Sequence, residues 1–297
     1  MTAEAWFSLI LLSVLWGGSF FFIELTLKDL QPLTVVLGRV MLAAIALTTF
    51  AYFQGHRMPT SFKVWREFLV MGALNNLIPF SLISWGQMHI DSSLAAILNA
   101  TTPVFAVVLA HFLTPDERLT VNRMLGVICG FCGVAVLVGT EVLGGLQLTG
   151  LGQFAVLLAA FSYACAGIYG RRFRQLPATV AAAGMVSGTA VMITPLALVL
   201  ERPWTTNPDW MSLGALLALG LLSTAIAYLL YFYILAIAGA TNLLLVTFLI
   251  PLSALLLGVL VLGERLEWNA FAGMVLIFVG LAAIDGRLIA VGMKDER

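Results

Sequence analysis

The sequence predicts an all-α integral membrane protein: ten transmembrane helices arranged as two inverted five-helix repeats, with both termini cytoplasmic. Three observations predict it. The chain is 61% hydrophobic and only 10% charged, against about 25% charged in a soluble domain, so it cannot keep a whole surface wet. Its apolar runs are uninterrupted and long enough to cross a hydrocarbon core, which takes about 20 residues, and they lack the polar–apolar alternation of barrel strands. Finally, ERLTVNRMLG at 117–126 returns as ERLEWNAFAG at 264–273.

Polar interruptions place the spans near 4–25, 32–53, 65–87, 92–113, 120–140, 151–170, 177–199, 210–236, 239–262 and 268–287. The first is too long for a cleavable signal, lacks a basic leader and runs straight into further spans. It carries Trp16 near its middle and Glu24 toward its end. In the second, Arg39 lies about 10 Å past Pro32 at the helical rise. Glu24 and Arg39 are the charges within apolar segments, a mark of function by default. They are read as a gating or structural pair, with Lys28 as the competing partner of Glu24. Near mid-span stand Asn75 and Asn76 in the third, Asn99 and Thr101 in the fourth, Tyr163 in the sixth, Ser223 and Thr224 in the eighth, and Thr247 in the ninth. Spans two, five and ten show no comparable midplane hydrogen-bonding group. Pro79, Pro103, Pro195 and Pro251 each remove an intrahelical hydrogen bond, and Pro79, Pro103 and Pro251 are read as hinges. Gly126, Gly130 and Gly133 in span five, with Gly273 and Gly280 in span ten, permit close helix contact. Cys129 and Cys132 are spaced C-x-x-C inside an apolar span with no His or further Cys beside them, which argues against a metal or redox site.

Lys and Arg accumulate in cytoplasmic loops. With both ends inside, eleven basic residues fall on the inner side, RRFR at 171–174 among them, and three, Lys28, Arg202 and Arg265, fall outside. The net charge of zero names no partner, and no segment has the basic patch of a nucleic-acid binder.

The two repeated strings share Glu117/Glu264, Arg118/Arg265, Leu119/Leu266, Asn122/Asn269, Gly126/Gly273, Phe131/Phe278, Gly133/Gly280 and Ala135/Ala282, eight identities in the nineteen positions from 117 to 135. The first copy follows span four and the second follows span nine, so they stand on opposite faces. Pro103/Pro251 and Gly72/Gly220 match upstream. Residues 1–140 are expected to form the first repeat and 141–297 the second, inverted one, together a single membrane domain. The Glu-Arg-Leu turns are expected to shape re-entry into spans five and ten.

WGGSFFFI at 16–23, Arg39 in the second span, Pro103 with ERL at 117, and Pro251 with ERL at 264 together resemble the EamA-like branch of the drug/metabolite transporter superfamily over essentially the whole chain. Within it the chain is most similar to the YddG-type amino-acid exporters. The resemblance implies a multi-pass transporter of the bacterial inner membrane that exports amino acids. Val40 follows Arg39 where the family often has Phe, and Glu24 stands where many members carry Lys, so no family role carries over to position 24.

No connection much exceeds a dozen residues and no P-loop string occurs, which leaves no room for a soluble catalytic domain or P-loop ATP hydrolysis. The work must lie between the helices. Unsatisfied amides and hydroxyls are costly in hydrocarbon, so the midplane groups are expected to face one another or a cavity. They fall on spans that the repeat pairs: one with six, three with eight, four with nine. Trp16, Phe80, Trp85, Tyr163, Tyr228 and Tyr231 offer flat walls and hydroxyl tips. The expected substrate cavity joins these to Asn75, Asn76, Asn99, Thr101, Ser223, Thr224 and Thr247. No Lys, Arg, Asp or Glu is read at that depth, which argues against phosphorylated substrates and against cations held by a buried carboxylate. A small zwitterion with an apolar or aromatic side chain fits, in agreement with the resemblance. The expected function is alternating-access export of such amino acids, with spans four and nine rocking, the bilayer as surroundings, and no cofactor. An exporter of other metabolites or drugs is the alternative, and a structural membrane protein is a further class. A membrane enzyme needs a carboxylate, His or metal cluster at one depth, and the sequence shows none.

Overall fold

The computed structural model describes residues 1–114, 120–143 and 147–285. Among the described residues there are no strands, and nine helices are long and apolar enough to cross a membrane. They are α1 (Ala3–Thr26), α2 (Pro32–Phe53), α3 (Phe62–Gly86), α4 (Ser92–Leu113), α5 (Val121–Leu143), α6 (Leu148–Tyr169), α7 (Ala178–Leu200), α8 (Trp210–Gly239) and α10 (Trp268–Asp285). A shorter helix, α9 (Val246–Leu262), lies between the last two. Its shortness has a local cause. Gly239 has φ 79°, a left-handed geometry that glycine adopts without a Cβ clash. It ends α8, a single turn runs on to Leu243, and α9 starts afresh at Val246. The ninth span is therefore two pieces, not one helix from 239.

Local chemistry fixes several starts. The Thr2 hydroxyl accepts the Ala5 amide at 3.2 Å and Asp209 accepts the Ser212 amide at 2.7 Å, both as N-caps. Pro32 opens α2, where its missing N–H has no intrahelical partner to lose. Two interior irregularities are related by the sequence repeat. α3 and α8 each contain a π-helical segment, Ala73–Leu77 and Leu221–Ile226, and each begins one residue after a repeated glycine, Gly72 and Gly220. Pro79 lies just past the first of these. α4 breaks at Ala100–Thr101, with Pro103 in the first turn of its second half. Pro251, by contrast, is buried inside α9; the discontinuity of that span falls at Leu244–Leu245.

The packing follows the same exchange. α5 lies antiparallel on α10, so near that a Cβ on Gly126 would come 2.5 Å from the Gly280 carbonyl oxygen, and one on Gly133 2.8 Å from that of Gly273. α2 lies on α7. α1 packs against α8 and α9, and α6 packs against α3 and α4. Gly72 abuts α7 at Met185 and Thr189, while Gly220 abuts α2 at Arg39 and Leu42.

Three carboxylates fasten one end of the bundle. Glu264, in the α9–α10 turn, accepts the amides of Ser92 and Ser93, each at 3.0 Å, and both serine hydroxyls. It thus caps α4, not the α10 helix that its turn was expected to shape. Glu201 accepts the Leu33 and Thr34 amides at 2.9 and 2.6 Å, at the start of α2. Asp29 accepts the Asp209 amide at 2.9 Å and the Ser212 hydroxyl at 2.7 Å, tying the α1–α2 turn to α8. Glu117, Arg118 and Leu119 lie outside the described residues.

Candidate functional site

The two π segments deliver polar side chains into one layer. Asn75 Nδ2 donates to the Tyr228 hydroxyl at 2.9 Å, and that hydroxyl donates to Asn76 Oδ1 at 2.9 Å. Asn76 Nδ2 donates to Thr189 Oγ1 at 3.3 Å. Thr189 in turn bonds the carbonyl of Met185 at 2.9 Å. Asn76, Thr189 and Thr224 are at most 1% exposed, so each bond replaces one that water would otherwise supply.

Arg39 enters this layer from α2. Its Nε donates to Thr224 Oγ1 at 2.8 Å, and its guanidinium carbon sits 3.6 Å from the centre of the Phe80 ring. Tyr163 and Tyr228 share its electrostatic surroundings. The residue is 6% exposed, and a buried arginine at the centre of a membrane helix costs about 2.5–3.5 kcal/mol on insertion scales. Among the described residues no carboxylate pairs with it. The Glu24–Arg39 pair expected from sequence is absent: the Glu24 carboxylate faces Gln87, whose Nε2 donates to it at 3.5 Å. Span two, read as lacking a midplane polar group, supplies a guanidinium to this layer. The stem of Arg39 carries its charge farther than its Cα position indicates.

Beside the polar layer lies an aromatic hollow. The Trp16 and Tyr231 rings sit 5.6 Å apart at 40°. With Leu243, Leu244, Val246 and Thr247 they line a space of about 210 Å³, smaller than the roughly 300–1,000 Å³ of drug-sized sites. Tyr231 follows Tyr228 by three residues on α8, so hollow and polar layer are neighbours on one helix. A second hollow, about 490 Å³, lies between α3, α4 and α6, with Leu74, Cys165, Tyr169, Arg171 and Arg172 among its lining residues.

Other expected site residues are distributed differently. Thr101 donates to the Leu98 carbonyl at 2.7 Å and serves the α4 break. Asn99 Oδ1 and Ser223 Oγ are buried without a partner among the described residues. Trp85 is remote, at the end of α3, 36% exposed and edge-on to His89 at 4.8 Å. Two contributors escaped the sequence reading. Thr189 is one; its signal was a hydroxyl at the centre of an apolar span. The hollow wall at Leu243–Val246 is the other, and it depends on the break at Gly239.

Compared with protein-family models, the EamA-like transporter family matches this chain twice, over residues 4–139 and 150–284. The chain belongs to that family. Two relatives bear on the transporter's setting. A probable terminal-alkyne amino-acid exporter of Streptantibioticus cattleyicolor is 28% identical over 97% of this chain and 95% of its own. The inner membrane transporter YedA of Escherichia coli is 23% identical over 92% of this chain and 88% of its own. One solved crystal structure superposes with a TM-score of 0.69 at 19% identity, covering 96% of this chain and 98% of the other, a likeness of fold. This chain is thus a multi-pass membrane protein of the EamA-like transporter family.

Proposed function

We propose that the transporter exports small zwitterionic solutes, chiefly aromatic and other apolar amino acids, by alternating access between two inverted halves, residues 1–140 and 141–297. The observation that carries this reading is the buried polar layer built jointly by α2 and α3 of one half and α7 and α8 of the other, set against the Trp16–Tyr231 hollow. The two family matches support two halves. The glycine contacts support their inversion: pairing Gly126 with Gly280 and Gly133 with Gly273 reproduces itself when the halves exchange, and the exchanged helices run antiparallel, as a twofold in the membrane plane requires.

The excess of basic residues places the start of α1 in the cytoplasm. In that orientation the three carboxylate fasteners close the outer end, and the hollow lies in the cytoplasmic half. Its wall residue Leu244 is 53% exposed, whereas Ala96, its counterpart at the offset of Pro103 and Pro251, is fully buried. One half is open where its counterpart is closed, the asymmetry of an inward-facing state. The exporter named among the relatives supports amino acids as cargo.

Counterflow in proteoliposomes tests the reading. Vesicles preloaded with phenylalanine are expected to accumulate labelled phenylalanine saturably, with competition by leucine and none by glutamate or lysine. Movement of lipophilic drug cations in place of every amino acid tried would refute it.

A further inference from the structure

Arg39 has unused hydrogen-bonding capacity in a place where such capacity is expensive. Its guanidinium is buried, and its single protein hydrogen bond leaves through Nε to Thr224. Among the described residues Nη1 and Nη2 have no protein acceptor and no carboxylate neutralises the charge, and neither nitrogen is sealed off as a buried polar atom without a partner, so both keep the accessible surface that an incoming ligand needs. A cation held this way in a membrane interior calls for an anion from outside the chain.

The surroundings also fix the shape of that anion. Thr224 holds Nε and the Phe80 ring holds one face of the guanidinium plane. The open edge is the end-on Nη1/Nη2 pair, whose parallel N–H groups match the two oxygens of a carboxylate. Through Thr224 the guanidinium is held beside Tyr228, whose hydroxyl joins Asn75 and Asn76 in the layer already assigned to the solute.

We propose that Arg39 is the receptor for the substrate carboxylate, and that the transporter selects solutes by that group. The inference rests on the transport reading only for the identity of the rest of the solute. Phe80 and Thr224 act as positioning residues, and the amides and hydroxyls of the layer are left for the ammonium end. A decarboxylated amine of the same side chain then lacks the group that the site is built to hold.

Thermal unfolding of the purified full-length protein in nanodiscs, titrated with three probes, tests this. Wild type is expected to be stabilised by phenylalanine and by 3-phenylpropionate, which keeps the carboxylate and lacks the amine, and not by phenethylamine, which lacks the carboxylate. Arg39→Gln retains a donor for Thr224 and is expected to lose both carboxylate responses. Should Arg39→Gln fail to assemble, Arg39→Lys decides: charge without the fork is expected to raise the 3-phenylpropionate dissociation constant by about tenfold or more. The proposal is overturned if phenylalanine and 3-phenylpropionate both leave wild type unmoved. It is equally overturned if phenethylamine stabilises as phenylalanine does, or if the Arg39 variants respond as wild type does. Failed phenylalanine counterflow with intact carboxylate shifts removes the amino-acid reading and keeps the anchor. Counterflow unchanged in Arg39→Gln removes the anchor and keeps the reading.

Discussion

Gly126 and Gly280 touch backbone to backbone, so a methyl group on either must push two helices apart. A Cβ on Gly280 would meet the Gly126 carbonyl oxygen at 2.6 Å. Gly280→Ala is expected to cost about 1–3 kcal/mol, read as a lowered melting midpoint in detergent. Gly214→Ala, with nothing within 4 Å of its added methyl, is expected to hold or raise that midpoint, because alanine is the better helix former. In the polar layer, Tyr228→Phe deletes the hydroxyl that joins Asn75 to Asn76. It takes a donor from the buried Asn76 amide and an acceptor from the half-buried Asn75 amide, a penalty of about 1–3 kcal/mol, which a melting curve and a counterflow half-saturation measurement both register. At this scale the sequence was informative for short side chains. Asn75, Asn76 and Thr224 lie at the depth their Cα positions give. Arg39 was misplaced because its charge sits several bonds from the backbone, and Thr189 went unnoticed as a lone hydroxyl.

Spans are legible from composition, since lipid demands long apolar runs; irregularities inside them are not. The π turns after Gly72 and Gly220 and the break at Gly239 arise from packing and from φ, neither of which leaves a hydropathy trace. The role of Glu264 was equally hidden, because it caps a helix far away in the sequence. Glu264→Ala removes four hydrogen bonds from the start of α4. In a cysteine-free background it is expected to make Ile90→Cys, buried in the intact protein, reactive to an impermeant thiol reagent added outside; unchanged reactivity would show that the cap does not close that end. Asp91 stands beside this cap, in the turn before α4. Desolvation first, and then the Glu264 charge, raises its carboxyl above the ordinary 3.8. A carboxyl raised by folding contributes stability below its unfolded value that is lost as pH rises through the folded one. Asp91→Asn is therefore expected to melt with wild type at the acid end, and above it by a margin that opens as pH climbs past about 4. A constant margin across pH would rule out this linkage.

At the scale of the whole molecule, the repeated Glu-Arg-Leu string and an odd number of intervening spans are enough to expect inversion. Which half is open is a property of the packed state and left no sign in the sequence. The present arrangement has the three carboxylates fastened at one end and the Trp16–Tyr231 hollow toward the other, which in the proposed orientation makes the two halves unequal. Thr247 in the hollow and Asn99 at the α4 break occupy equivalent positions in the two repeats. The most direct measurement is therefore sided labelling of Thr247→Cys and Asn99→Cys in the cysteine-free transporter, in vesicles of known orientation, with and without phenylalanine gradients. Labelling of position 247 from the cytoplasmic face that falls as labelling of position 99 from the outer face rises is the predicted result. Labelling of both from the same face, or of either with no reciprocal change, would contradict alternating access between inverted halves.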